Sequence, residues 1–137
     1  MTPLFKKLNF KGHKEIFILN HPSEFEKEMK EMTDYAVIKT NISDSSEVEF
    51  VLTFVKTKAD IDKTTPIIHK KLKGDGIVWF AYPKGTSKKY KVEINRDNGW
   101  DVLVKLGFEG VRAVAIDDDW STLRFRRVEF VKAIKSK

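Results

Sequence analysis

The side chains able to do chemistry gather in a few short stretches. Residues 84–91 read KGTSKKYK. Its lysines, the hydroxyls of Thr86 and Ser87 and its backbone N–H groups suit a phosphate. Tyr82 and Tyr90 flank those lysines and suit stacking on bases. The spacing G-x-x-x-x-G-K-[ST] of a P-loop is absent, and a solvated basic loop accounts for the same letters. Residues 117–120 read DDDW. Three consecutive carboxylates on an extended chain point in different directions, so at most two share an ion such as Mg²⁺. A polar turn, or pairing with Lys84, Arg96 or Arg124, uses the same charges, and no metal site is expected. Trp120 would be a ligand platform if its indole were exposed in that turn. His21 follows a short apolar run and suits a general base or an anion ligand. A hydrogen bond to a loop carbonyl would occupy it equally well. His13 and His69 have no metal-ligand spacing to it, and no serine sits in G-x-S-x-G, the hydrolase elbow.

The bulk composition narrows the classes. The chain has 137 residues, 41% of them hydrophobic and 34% charged, which fits one globular domain over residues 1–137. It has no cysteine, which removes disulfides, zinc-thiolate sites, iron–sulfur clusters and a thiol nucleophile. That usage fits a reducing cytoplasm, the expected location. The first residues lack the apolar stretch of a secretory signal, and no apolar run approaches a membrane span. The net charge is +6, with 11 basic and 11 acidic side chains in residues 1–70 and 15 and 9 in residues 71–137. A basic half admits a polyanion partner, and it equally suits a soluble surface rich in lysine.

The elements that must position these groups alternate between strand and helix. Residues 16–19 (IFIL) form a strand ended by Asn20, His21 and Pro22. Ser23-Glu-Phe-Glu26 has the spacing of a capping box, and Phe25, Met29 and Met32 mark one face of the helix behind it. Residues 35–38 form a second strand and 42–47 a polar loop. Residues 48–55 (VEFVLTFV) form a third strand, apolar enough to be buried on both faces. A helix follows over 58–73, with Gly74 beyond it and Pro66 either kinking it or opening its second half from Thr65. Residues 77–82 form the fourth strand, 94–106 a helix ended by Gly107, 111–116 the fifth strand and 122–128 the sixth. On that last strand Leu123, Phe125 and Val128 fall opposite Arg124 and Arg126.

Strands separated by helices imply crossovers and a mostly parallel sheet covered on both faces. The turn before the last strand is too short for a crossover, so the last two strands run antiparallel. Ligands of open α/β sheets bind beyond the carboxyl ends of the strands. This rule selects the loops at Asn20–His21, Thr40–Asn41, Lys56–Thr57, Pro83–Ser87 and Asp117–Trp120.

Three segments carry resemblances: LKGDGIVWFAYPK at 72–84, NRDNGW at 95–100 with LGF at 106–108, and IDDDWSTLRFR at 116–126. Together they resemble a family of small bacterial domains of unknown function, with D-G-x-x-W-x-x-x-P-K and D-x-x-W-S-x-x-R motifs. That family supplies no activity. The same half is similar to the carboxyl half of class I S-adenosylmethionine-dependent methyltransferases, a Rossmann-like fold. This resemblance implies a six-stranded sheet in the order 2-1-3-4-6-5. The first half departs from it. A cofactor loop after strand one needs glycine for close backbone approach, whereas residues 19–23 read LNHPS, with no glycine and a proline that lacks an N–H. S-adenosylmethionine and dinucleotides are therefore not expected as cofactors.

The functional expectation is a non-catalytic domain that binds an anionic ligand or partner at the carboxyl edge. The candidate residues are His21, Lys56, Lys84, Thr86, Ser87, Arg96, Asp119 and Trp120. A divergent transferase using Asp119 and His21 is the first alternative. A nucleic-acid-binding module working through residues 84–91 and the terminal strand is the second.

Overall fold

A computed structural model describes residues 2–44, 47–91 and 93–135. Six strands form one sheet: β1 (Glu15–Leu19), β2 (Val37–Lys39), β3 (Val48–Phe54), β4 (Leu72–Pro83), β5 (Phe108–Ala115) and β6 (Trp120–Arg127). Their order is β2-β1-β3-β4-β6-β5, as the methyltransferase resemblance implied. β1 lies parallel to β2 and β3, and β3 parallel to β4. β6 enters between β4 and β5 and is antiparallel to both. The central strand β3 is buried at every position but one, the both-face burial its apolar run demands.

Side chains alternate across the sheet into two apolar layers. Phe17, Val51, Val78, Phe80, Leu123 and Phe125 meet α3 (Lys58–Lys71) and α4 (Asp101–Lys105) through Ile61, Ile68 and Leu103. On the opposite face Ile16, Ile18, Phe50, Leu52 and Trp79 meet α1 (Pro3–Lys7) and α2 (Glu26–Met32) through Leu4, Phe5, Met29 and Met32. Trp79 is fully buried, and its indole N–H donates to the Leu8 carbonyl at 2.9 Å, fastening α1 to the sheet. A last helix, α5 (Val128–Lys135), follows β6 directly.

Several local expectations are revised. The helix expected over 94–106 shrinks to α4. Asn95 Oδ1 instead accepts the N–H groups of Asp97 and Asn98 at 2.8 and 3.0 Å, forming a turn that a helix cannot share. The capping box forms at Thr57 and Asp60, not at Ser23. Pro22 precedes a short 3₁₀ turn there, and Glu26 turns toward His21, with Oε1 3.6 Å from Nε2. Pro66 does not split α3. It lies exposed inside one continuous helix, and Thr65 donates to the Ile61 carbonyl at 2.7 Å rather than capping anything. Val128 opens α5 instead of ending β6. The polar loop 42–47 lies partly outside the described residues. No helix among them is long and apolar enough to cross a membrane.

Candidate functional site

The sheet's connectivity runs outward in opposite directions from β1 and β3. β1 leads to β2 at one edge, and β3 leads toward β4 and the other. Loops leaving such a pair diverge and leave a crevice at their carboxyl ends. A crevice of about 480 Å³ lies there, within the usual range for a small-molecule site. Leu19 and Asn20 reach it from β1, Thr40 and Asn41 from β2, and Phe54 and Lys56 from β3. Asp60, Lys63, Thr64 and Ile67 close it from α3, and Trp120 borders it from β6.

The β1 exit turns sharply, and Asn20 makes the turn at φ 58°. Asparagine tolerates this left-handed conformation better than most side chains. A Cβ and an amide therefore stand where glycine would leave open backbone. Asn41 spends its side-chain carbonyl on Ser43, accepting from N–H at 2.9 Å and from Oγ at 2.6 Å, so its amide N–H₂ remains available.

The charges of the crevice are unequal. Asp60 Oδ2 accepts the backbone N–H groups of Lys56 and Thr57 at 2.9 and 3.2 Å, while the Thr57 hydroxyl accepts from Asp60 N–H at 3.1 Å. This reciprocal cap spends the carboxylate on its own helix start. Lys63 has no ion pair or hydrogen bond among the described residues, and Lys56 has only the face of Tyr90, 4.9 Å from Nζ. Two lysines thus border the crevice, and the one acid among its described lining residues is engaged by its own helix start.

Of the eight residues singled out in the sequence, Lys56 and Trp120 line this crevice. Trp120 is only 1% exposed. It packs edge-on to Phe54 with centroids 5.0 Å apart, and Tyr90 lies 4.8 Å away. It is a buried wall, not an exposed platform. Its enclosed indole N–H makes no hydrogen bond of good geometry among the described residues; beside it stands the Tyr90 hydroxyl, whose own proton goes to Glu24. His21 lies in a separate shallow depression beside α2 with Glu26. Lys84, Thr86 and Ser87 occupy the loop after β4, and Arg96 sits exposed in the 95–98 turn.

The basic loop meets the acidic turn, but not through its lysine side chains. Ser87 Oγ donates to Asp119 Oδ1 at 2.9 Å, and Lys84 N–H donates to the Asp119 carbonyl at 2.8 Å. Asp117 Oδ1 accepts the N–H groups of Asp119 and Trp120, both at 2.8 Å, and holds the turn. The only lysine of the loop with a carboxylate partner among the described residues is Lys89. It reaches Glu24 at 2.9 Å, and the Tyr90 hydroxyl donates to the same oxygen at 2.7 Å.

That clasp has a defined pH window. The Tyr90 hydroxyl, and after it the Lys89 ammonium, lower the Glu24 carboxyl from its usual value to about 2. A depressed carboxyl stabilises the fold above its unfolded value near 4.5, and this is lost as pH falls toward 2. Lys89 and Tyr90 are both raised, Lys89 chiefly by its bond to Glu24 and Tyr90 by burial and that same bond. Lys89's contribution holds below its unfolded value and fades only as pH rises through the folded one. The clasp should therefore be indifferent to pH between about 5 and 9. A carbon-detected NMR titration of the Glu24 carboxyl should find its midpoint near 2. A midpoint near 4.5 would mean that the loop is not clasped.

Sequence reasoning missed the α3 side of the crevice. Asp60, Lys63, Thr64 and Ile67 fall at the 3-4-7 spacing of one helix face, directly behind the T-x-x-D signature of Thr57 and Asp60. That signal was present in the letters.

No family model matches the chain. No curated protein matches it in sequence. Solved structures do match in fold. A type 11 methyltransferase from Sulfolobus solfataricus superposes with a TM-score of 0.54 at 13% identity, over 92% of each chain. The N-methyltransferase NodS from Bradyrhizobium japonicum gives 0.53 at 13% identity, covering 90% of this chain and 91% of that one. The Haemonchus contortus phosphoethanolamine N-methyltransferase 2, in complex with phosphomonomethylethanolamine and S-adenosylhomocysteine, gives 0.54 at 9% identity, over 82% of this chain and 32% of that one. At these identities the likeness is one of fold: a Rossmann-like α/β sheet of the methyltransferase type.

Proposed function

We propose that the chain binds a small phosphate-bearing anion in the crevice between the carboxyl ends of β1 and β3. The observation that carries this reading is the pair Lys56 and Lys63. Among the described residues they have no carboxylate partner there, and the one acid of the lining is held by its own helix cap. Asn20 and Asn41 add amide donors at the rim. S-adenosylmethionine carries a positive sulfonium, which this charge balance repels. A mononucleotide or sugar phosphate presents the complementary charge, and the crevice has the volume for it.

The experiment is a thermal-shift series with AMP, inorganic phosphate and S-adenosylmethionine. A ligand at one hundred times its Kd stabilises by about 2.7 kcal/mol, a rise of several degrees in Tm. AMP should produce it, and the double variant Lys56→Ala/Lys63→Ala should lose it. The second reading is a divergent transferase on this scaffold, favoured by the fold likeness to methyltransferases. Stabilisation by S-adenosylmethionine but not by AMP would replace the first reading with the second.

A further inference from the structure

At the amino ends of the parallel strands, on the far side of the sheet from the crevice, a second groove of about 490 Å³ runs past Lys11, His13, Glu49, Lys73, Asp75 and Arg124. Two of the segments quoted from the sequence meet in it, since Asp75 and Gly76 open β4 and Arg124 lies on β6. The registers place Arg124 directly beside Trp79 on β4 and opposite Arg112 on β5. Alternation puts Arg126 on the same face.

Arg126 and Arg124 are satisfied very differently. Arg126 holds Asp75 with both prongs of its guanidinium, Nε to Oδ1 at 3.1 Å and Nη2 to Oδ2. Arg124 is half-buried, has no ion pair or hydrogen bond among the described residues, and its Nε is enclosed with no acceptor. Like charges directly opposite across strands destabilise a sheet. A partly buried cation without a partner costs more again. Burial, and then Arg126 and Arg112, act against the Arg124 charge, and Asp75 offsets this only in part because it is bound elsewhere. The remaining groove acid, Glu49, stands 3.9 Å from Lys73. Burial lowers the His13 imidazole, with Glu49 opposing, so His13 brings little charge near neutrality. Lys11 at the rim has no carboxylate partner among the described residues.

We infer that this amino-edge groove is an oxyanion site, in which the Arg124 guanidinium and Lys11 take the phosphate or carboxylate group of a small molecule. The fork of N–H donors matches either group bidentately. A bound oxyanion would also set a negative charge beside the half-buried Arg124 guanidinium, which has no ion pair among the described residues.

The test separates a ligand arginine from a structural one. Arg124→Met keeps length and apolar stem while removing the charge. In low-salt buffer without multivalent anions it should melt at or above the wild type, because an unpaired charge and a repulsion are gone. Inorganic phosphate raises Tm generally by exclusion from the surface, and the variant shares that part. Wild type should gain several degrees beyond it. Lys56→Ala/Lys63→Ala should keep this extra gain, which distinguishes the groove from the crevice. NMR of the Arg124 Nε–H, assigned through Arg124→Lys, reads the site in folded wild type. Millimolar inorganic phosphate or citrate should shift it, and whichever acts at lower concentration names the group. An unmoved signal with both anions overturns the inference, and so does an Arg124→Met variant that melts well below wild type in the absence of anion.

Discussion

Replacing Trp79 with alanine should lower stability by about 4 kcal/mol, as expected when a fully enclosed indole is truncated in a packed core. For a domain of this size that is a fall in Tm of roughly 10–15 °C. Two effects add. The indole sits at 0% exposure among Ile77, Phe50 and the helix α1, so its removal leaves a cavity. Its N–H also serves the Leu8 carbonyl, which would be left buried without a donor. Trp79→Phe separates the two, since it keeps most of the ring volume and loses the donor. It should cost about 1–2 kcal/mol. Urea denaturation midpoints at constant slope would measure both. A Trp79→Ala loss below about 1 kcal/mol would mean that α1 is not seated as described.

Gly99→Ala should be the second most damaging change, at about 3 kcal/mol. Gly99 adopts φ 105°, closed to L side chains, and the conformational penalty alone is about 1–2 kcal/mol. An added Cβ would stand 2.7 Å from Ile94 Cγ2 and 3.5 Å from Ile61 Cδ1. Ile94 and Ile61 are both buried, so neither side chain has room to yield, and overpacking adds about 1–3 kcal/mol. Ile61 belongs to α3, the helix that presents Asp60 and Lys63 to the crevice. The variant should therefore lose part of its AMP response as well as stability. Gly85→Ala is the control. It meets nothing within 4 Å and has no positive φ, and should stay within about 0.5 kcal/mol of wild type. Equal denaturation midpoints for the two variants would contradict this account of Gly99.

Strand positions and directions were legible because they rest on local pattern and on rules of connection, whereas the strand order came only from the methyltransferase resemblance. The apolar run at 48–55 pointed to a doubly buried strand, and the turn at 117–119 is too short for anything but an antiparallel connection. The helices were harder. α1 has a Thr2 cap and Pro3 at its first turn, but five residues do not stand as a helix alone. It exists because Leu4, Phe5 and Leu8 bury against Trp79 and Phe50, partners the local letters do not announce. The 94–106 helix failed for the opposite reason. A local competitor, the Asn95 side chain, took the N–H groups that a helix would have used.

The candidate site was legible as a set of loops, since Asn20, Thr40, Asn41, Lys56 and Trp120 all lie in loops the carboxyl-edge rule selects. Which charges remained free was not legible. Asp60 is silenced by a cap, Asp119 is met by a serine, and Lys89 is answered by Glu24 far back in the chain. The Asp60 cap is local and its T-x-x-D spacing could have been read, but the pairings of Asp119 and Lys89 depend on distances across the fold and leave no periodic trace.

The bond from Trp79 to Leu8 also bears on the order of assembly. On a chain that emerges from its amino end, α1 has no completed seat until β4 has been made and laid beside β3. The parallel pairs Phe17–Val51 and Val51–Val78 each close over an intervening helix, whereas β5 and β6 fold back through a short turn that can form at once. During synthesis the apolar face of Leu4, Phe5 and Leu8 would wait uncovered. That interval is where a chaperone has most to shield and where aggregation is most to be feared.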